Sequence, residues 1–267
     1  MATQSAPQPT LDHIVILVFH STLLVLPERL KDHFVVSPGG EHADGLTSNK
    51  LILFQDGVYI ELIAFYDDAD PEARKKHRLG NLKENTIIDW AYTLPHEEDF
   101  AAVQQRVRDA STGITYDDPV PGGRTKPDGT VLKWSIGAAR DANGQGIRPG
   151  SLPFWCLDRT PRNLRVPYEN NTEQTQHPCG ARGVSRLRLS ERKEEVNDVS
   201  KVYGAIHQVN DPDDAWNFHV PSNSTGARHT ISVSGEDESG VKLALLGSEG
   251  SPSFIEILPG LVVKIES

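Results

Sequence analysis

Two cysteines, no apolar run long enough to span a bilayer, and no excess of basic side chains define this chain first by what it excludes. Cys156 and Cys179 form neither a paired metal motif nor a dense disulfide framework, so a reducing compartment is the simpler assumption and a cytoplasmic location is expected. The most hydrophobic stretch, LDHIVILVF from Leu11, is too short and too strand-like for a membrane helix. The polar lead MATQSAPQPT has no basic patch ahead of an apolar core, as a signal peptide would. Lys and Arg, 27 in all, are outnumbered by 37 Asp and Glu, for a formal charge of −10. Phosphate binding depends on focused positive charge, which argues against nucleic acid as a partner. No Gly-x-Ser-x-Gly elbow is present, and no glycine loop is followed by Lys and Ser or Thr, so no nucleotide cofactor is expected. The expected partner is a small-molecule substrate, with no membrane and no nucleic acid involved.

The 267 residues are enough for one large domain or two modest ones. A β-branched strand at Leu11–Val18 is followed by a helix expected to begin near Pro27, then by a hairpin of Leu51–Phe54 and Tyr59–Phe65 about an Asp-Gly turn. The order recurs. Thr86–Thr93 reads as a strand, and Phe100, Val103 and Val107 line one face of an amphipathic helix. Two further strands surround Trp134 and Trp155. A third pass starts near Gly183, continues through a helix near Glu194–His207, and ends in strands that include Lys242–Leu246 and Phe254–Leu258. Repetition at this length points to stacked α+β modules, each a strand, a helix and two or three further strands. The expected division is a lead at 1–10, a two-module region at 11–190, and a diverged module at 191–267 that either closes on the first two or pairs with a second subunit as a homodimer. Arg159–Gly180 has no clear period and is expected to be a long irregular connection, the kind of segment in which sites are assembled.

One phrase returns within the chain. KLILFQDGVYIELIAF at Lys50–Phe65 is echoed by KLALLGSEGSPSFIEIL at Lys242–Leu258, and each copy breaks an apolar final strand with an acid, Glu61 or Glu256. A carboxylate among Tyr59, Ile60, Leu62 and Ile63 costs several kcal/mol to bury unless a cation or strong donors receive it. That marks a concave polar site.

LDHIVILV at Leu11–Val18, GGEHADGLTSNKLILF at Gly39–Phe54, YIELIAF at Tyr59–Phe65, GGRTKPDGTVLKW at Gly122–Trp134 and HPCGARGV at His177–Val184 together resemble the glyoxalase-like family of the vicinal oxygen chelate superfamily. The resemblance runs from about Leu11 to about Leu189. It implies paired α+β units of the βαβββ kind, with curved mixed sheets around a central cavity, often with a divalent metal at the floor. It also implies lyase or isomerase chemistry on a small oxygenated metabolite, the alternative being a metal-free binding or sequestering protein of the same fold.

His13 and Glu61 stand where the superfamily places metal ligands, on the first and last strands of a module. Imidazole and carboxylate suit Zn, Fe, Mn or Ni without choosing among them. The later passes depart from that pattern. Asp89 lies near the position of His13, with Trp155 or Cys156 where Glu61 would fall, and Arg186 replaces His13 in the third, where it is expected to pair with Glu256. His42, between glycines, and His177, in the long connection, are expected together with Glu61 to move protons. Asn49 and Thr47 would fix the loop after His42 or donate to a substrate oxygen. Arg124 and Lys126 would form a positive lip and Trp134 an apolar wall, the planar fork of Arg124 being suited to hold a carboxylate.

Overall fold

The computed structural model describes residues 8–126, 128–209, 213–223, 226–250 and 254–266. A first module comprises β1 (Thr10–Leu17), α1 (His20–Leu30), β2 (Ser37–Glu41), β3 (Thr47–Leu53) and β4 (Tyr59–Phe65). Helix α2 (Pro71–Lys76) leads to a second, built from β5 (Thr86–Thr93), α3 (Phe100–Asp109), β6 (Thr115–Tyr116), β7 (Val120–Thr125), β8 (Val131–Gly137), β9 (Ala139–Arg140) and β10 (Phe154–Asp158). The long connection carries two single-turn helices, α4 (Arg162–Arg165) and α5 (Thr172–Thr175). The C-terminal part contains β11 (Ala181–Arg192), α6 (Lys193–His207), β12 (Ala215–Asn217), β13 (Thr230–Glu236), β14 (Gly240–Gly247), β15 (Phe254–Leu258) and β16 (Leu261–Glu266).

Eight strands form one curved sheet in the order β2-β3-β4-β1-β5-β10-β8-β7. At its centre β1 and β5 run antiparallel, with His13 opposite Ala91, and each pairs in parallel with the last strand of its own module, β4 or β10. The two halves are therefore related by an approximate two-fold axis between β1 and β5. The outermost strands nearly meet: a Cβ on Gly40 of β2 would lie 3.3 Å from the Arg124 side chain on β7. This near-closure turns the sheet into a cup.

Alternation assigns each strand residue to a face. Ile14 and Ile16 of β1 join the main core, against Leu23, Leu26 and Leu30 of α1, while Val15 and Leu17 face the cup with Ile63, Ala91, Phe154 and Cys156. The sequence places the start of α1 near Pro27. The helix instead runs from His20 and holds Pro27 in its third turn, with Phe19 before it offering no side-chain cap. The apolar stripe of Leu23, Leu26 and Leu30 sustains a helix that an internal proline weakens.

A second sheet has the order β12-β13-β11-β14-β16-β15. It repeats the design of the first, an antiparallel central pair (β11 and β14) flanked by parallel partners (β13 and β16). So β14 opens a half of its own, without a helix, rather than completing a single third module. The internal echo is not a structural repeat. β3 and β4 form a hairpin, whereas β16 lies between β14 and β15. Arg186 pairs with Glu266 at 2.8 Å, not with Glu256, whose Oε1 accepts from the Gly260 N–H. Side chains of α1, α3 and α6 and both sheets share one core.

Candidate active site

His13 and Glu61 reach the floor of the cup from neighbouring parallel strands, in a register that sets Glu61 beside Val15. His13 Nε2 lies 3.9 Å from Glu61 Oε2. The other carboxylate oxygen, Oε1, is engaged by Asn49 Nδ2 at 2.5 Å and faces His42 Nε2 at 3.4 Å. Thr47 Oγ1, 2.8 Å from His42 Nδ1, fixes the second imidazole from behind. The pair that face each other are thus a nitrogen and an oxygen with no hydrogen-bond partner among the described residues. Around them a cavity of about 410 Å³ is walled by Val15, Ile63, Leu79, Trp134, Ile136 and Phe154.

The ring of His13 is set on three sides. It stacks on Tyr59 with centroids 4.7 Å apart and meets the edge of Phe154 at 5.3 Å. Its Nδ1 is 2.5 Å from Asp12 Oδ1. A register shift between Leu11 and His13 makes Asp12 the extra residue of a β-bulge, which turns two consecutive side chains toward one another. Burial would raise the Asp12 carboxyl, but Arg162 and Arg165 hold it well below the usual carboxylate range. The Asp12 carboxylate at Nδ1 orients the ring so that Nε2 is directed at the cavity.

The electrostatics of the floor follow. Burial opposes the charge on Glu61, yet the hydrogen bond and charge of His42, with His13 and Asn49, bring its carboxyl down to about 2. Burial likewise opposes charge on His42, and the hydrogen bond and charge of Glu61 outweigh it to raise the imidazole.

The second half offers no matching ligands. With Asp89 as the counterpart of His13, strand register makes Phe154 the counterpart of Glu61, because Phe154 pairs with Ala91 as Glu61 pairs with Val15. Neither residue named for that position in the sequence fills it. Trp155 points into the main core, and Cys156 lines the cavity as a buried free thiol raised by burial. Asp89 is fully buried beneath the Arg78 guanidinium and accepts from the Gly150 N–H.

Among the described residues, Asp12, His13 and Cys156 bring ligand atoms within 4.8 Å of one another. That group does not suit a cation, since both Asp12 oxygens are bonded by guanidinium groups. His13 Nε2 and Glu61 Oε2 do suit one. Metal–nitrogen and metal–oxygen bonds of about 2.0–2.2 Å span a 3.9 Å gap at an obtuse angle.

The family profile described as a glyoxalase-like domain matches residues 11–202. The chain belongs to that family. A crystal structure of a hypothetical protein from Staphylococcus aureus superposes with a TM-score of 0.67 at 14% identity, covering 97% of this chain and 99% of that one. Methylmalonyl-CoA epimerase from Mycobacterium tuberculosis aligns at 20% identity and TM-score 0.35, over 59% of this chain and 91% of its own. An extradiol ring-cleaving dioxygenase from B. fuscum aligns at 11% identity and TM-score 0.44, over 93% and 61%. No curated protein sequence matches. No helix among the described residues is long and apolar enough to cross a membrane.

Of the residues expected at the site, this glyoxalase-like cavity gathers His13, His42, Asn49, Glu61, Arg124 and Trp134. His177 is elsewhere. It lies between Phe34 and Phe54, its Nδ1 accepting from the Val35 N–H and its Nε2 3.0 Å from the Leu53 carbonyl, and burial lowers it to about 4. Lys126 also misses the cavity, its Nζ lying 3.4 Å from the Leu164 carbonyl and 3.8 Å from Asp128. Sequence reasoning overlooked Arg165, His77 and Arg78. The last two follow α2, which Asp70 caps through the Ala73 N–H with Pro71 at its first position; Asp-Pro-Glu was the available signal.

Proposed function

We propose that the cavity is the active site of an enzyme that moves a proton on a small oxygenated metabolite, in a lyase or isomerase reaction assisted by one divalent metal. The observation that carries this reading is the facing pair of free donors, His13 Nε2 and Glu61 Oε2, in a largely apolar cavity. His13 and Glu61 would hold the ion, and substrate oxygens would fill its remaining positions. When bound, the ion would act as a Lewis acid on adjacent substrate oxygens and favour an enolate.

The protein's own groups divide the remaining work. His42, within 3.4 Å of Glu61 and oriented by Thr47, is the proton carrier, its protonated form favoured by the Glu61 carboxylate. Glu61 is too weak a base for that role and serves to hold charge. Asn49 keeps its Oε1 occupied, so that Oε2 faces His13. The apolar walls exclude water and strengthen each of these interactions.

The decisive experiment is elemental analysis of protein purified without chelator, with His13→Ala and Glu61→Ala beside it. Joint loss of metal in both variants, with deuterium exchange into candidate substrates dependent on His42, supports the proposal. Unchanged metal content in the variants refutes ligation by this pair. Ligand binding without exchange or turnover in any metal-loaded form would make the protein a binder rather than an enzyme.

A further inference from the structure

Arg124 is only 8% exposed and faces the cavity. The other arginines on its wall have carboxylates: Arg165 pairs with Asp12 and Asp158, and Arg78 with Asp89. Arg124 has none within ion-pair distance among the described residues. Its side-chain hydrogen bond runs from Nη1 to Asn49 Oδ1, 3.2 Å away. A guanidinium does not shed its proton in a protein, and a buried cation without a counter-charge costs several kcal/mol. The missing anion is therefore one that a ligand supplies.

Its position is informative too. Asn49 spans the two charged groups, accepting from Arg124 through Oδ1 and donating to Glu61 through Nδ2. One carboxamide thus separates the guanidinium from the polar floor. Arg124 and the His13–Glu61 gap line the same cavity. Beyond that lies apolar surface. Gly122, on the strand that carries Arg124, lets the Trp134 indole lie against the backbone, since a Cβ there would come within 2.7 Å of its Nε1. Ile136 and Phe154 extend that wall.

We infer that the ligand of this cavity is a 2-hydroxy carboxylic acid with an apolar tail, its carboxylate on Arg124, its hydroxyl directed at the acceptors of the His13–Glu61 gap, and its tail against Trp134, Ile136 and Phe154. This rests on the cavity being the active site proposed above, but it is tested by binding alone. A planar, five-donor fork favours a carboxylate held by two parallel bonds over a neutral carbonyl.

The test is calorimetric titration of chelator-treated protein with three probes: phenyllactate, its methyl ester, and 3-phenylpropionate. Phenyllactate is expected to bind about tenfold or more tighter than the ester. Arg124→Met should remove that preference while leaving the weak affinity for the ester, and Arg124→Lys should restore part of it. 3-Phenylpropionate, which keeps the carboxylate and lacks the 2-oxygen, should fall between. Equal affinity for acid and ester in the unmodified protein overturns the inference, as does the absence of binding by any probe. A preference for the acid that survives Arg124→Met in folded protein, checked by thermal melting, also overturns it. Discrimination between acid and ester without any metal or turnover would sustain this inference while the catalytic proposal failed.

Discussion

Arg165 grips Asp12 with two nitrogens, Nη1 to Oδ1 at 2.9 Å and Nη2 to Oδ2 at 2.7 Å, directly behind the His13 ring. Arg162 reaches the same carboxylate, and Arg165 also bonds the Tyr59 hydroxyl at 2.9 Å and Asp158 at 2.7 Å. The irregular connection after β10 is thereby fastened to the strand that bears His13. The loop supplies the charges that allow a fully buried carboxylate to lie against the His13 ring.

Asp12→Ala would leave Arg165 buried without its main partner, and loss of one member of a buried pair costs about 3–5 kcal/mol. Urea denaturation should show a fall of that size. Asp12→Asn conserves shape but removes the negative charge beside His13 Nδ1. It should weaken metal affinity by roughly 10–100-fold, as the loss of an outer-shell carboxylate does. Metal affinity equal to that of the unmodified protein, measured by competition with a chromophoric chelator, would count against Asp12 as an orienting group.

The first module was legible because its pattern is regular and then broken. Alternation and β-branching outline β1 and β4, and a charge at Glu61 inside an apolar run has few explanations other than a site. Asp12 was hidden by the same logic. An acid beside His13 should alternate away from it, and only the bulge, invisible in sequence, turns it back. Arg165 sits in a segment without periodicity, where spacing carries no information about long-range partners. His177 shows the reverse error: an imidazole in a loop looks functional until its two nitrogens are found to serve backbone groups. The pairing of β14 with β16 rather than β15 depends on chain crossing, which local similarity between Lys50–Phe65 and Lys242–Leu258 does not encode.

The ion pair of His42 and Glu61 gives metal-free protein a defined pH dependence. His42 is raised, so its contribution to stability is full below its unfolded value of about 6.5 and is lost as pH rises through the folded value. Glu61 is lowered to about 2, so its contribution is present above its unfolded value and is lost as pH falls toward 2. Both operate between roughly pH 4.5 and 6.5. The stability difference between the protein and Glu61→Gln, measured by denaturant titration in chelator, should be largest in that window and shrink on either side. A difference that is flat across the range would mean the pair does not form.

On the opposite wall Arg78 neutralises Asp89 and lies over the Phe154 ring, 5.0 Å from its centroid. Burial raises the Asp89 carboxyl, with Arg78 the first influence against it. Arg78→Met should therefore destabilise the protein by a few kcal/mol at neutral pH, where the buried Asp89 must either stay charged without its partner or take up a proton. The loss should be smaller under acidic conditions, where Asp89 takes up a proton. Thermal melts of both forms across pH will show whether the two curves converge.

Asp56, in the hairpin turn between β3 and β4, ties the two sheets together. Its Oδ1 accepts from the Val58 N–H and its Oδ2 from the Val184 N–H, each at 2.9 Å, and its backbone N–H donates to the Arg182 carbonyl. Gly183 allows this approach, since a Cβ there would lie 2.2 Å from Asp56 Oδ2. Gly183→Ala should push the carboxylate away and strand buried N–H groups, each costing about 1–3 kcal/mol. Asp56→Ala should lose a similar amount, and the double variant should fall well short of the sum because both changes break the same contact. Burial raises Asp56 to about 7 against those two donors. An acid raised in the folded state loses stability as pH climbs from its unfolded value of about 4 through 7. Part of the decline in stability over that range should vanish in Asp56→Ala, and additive losses in the double variant would refute the coupling.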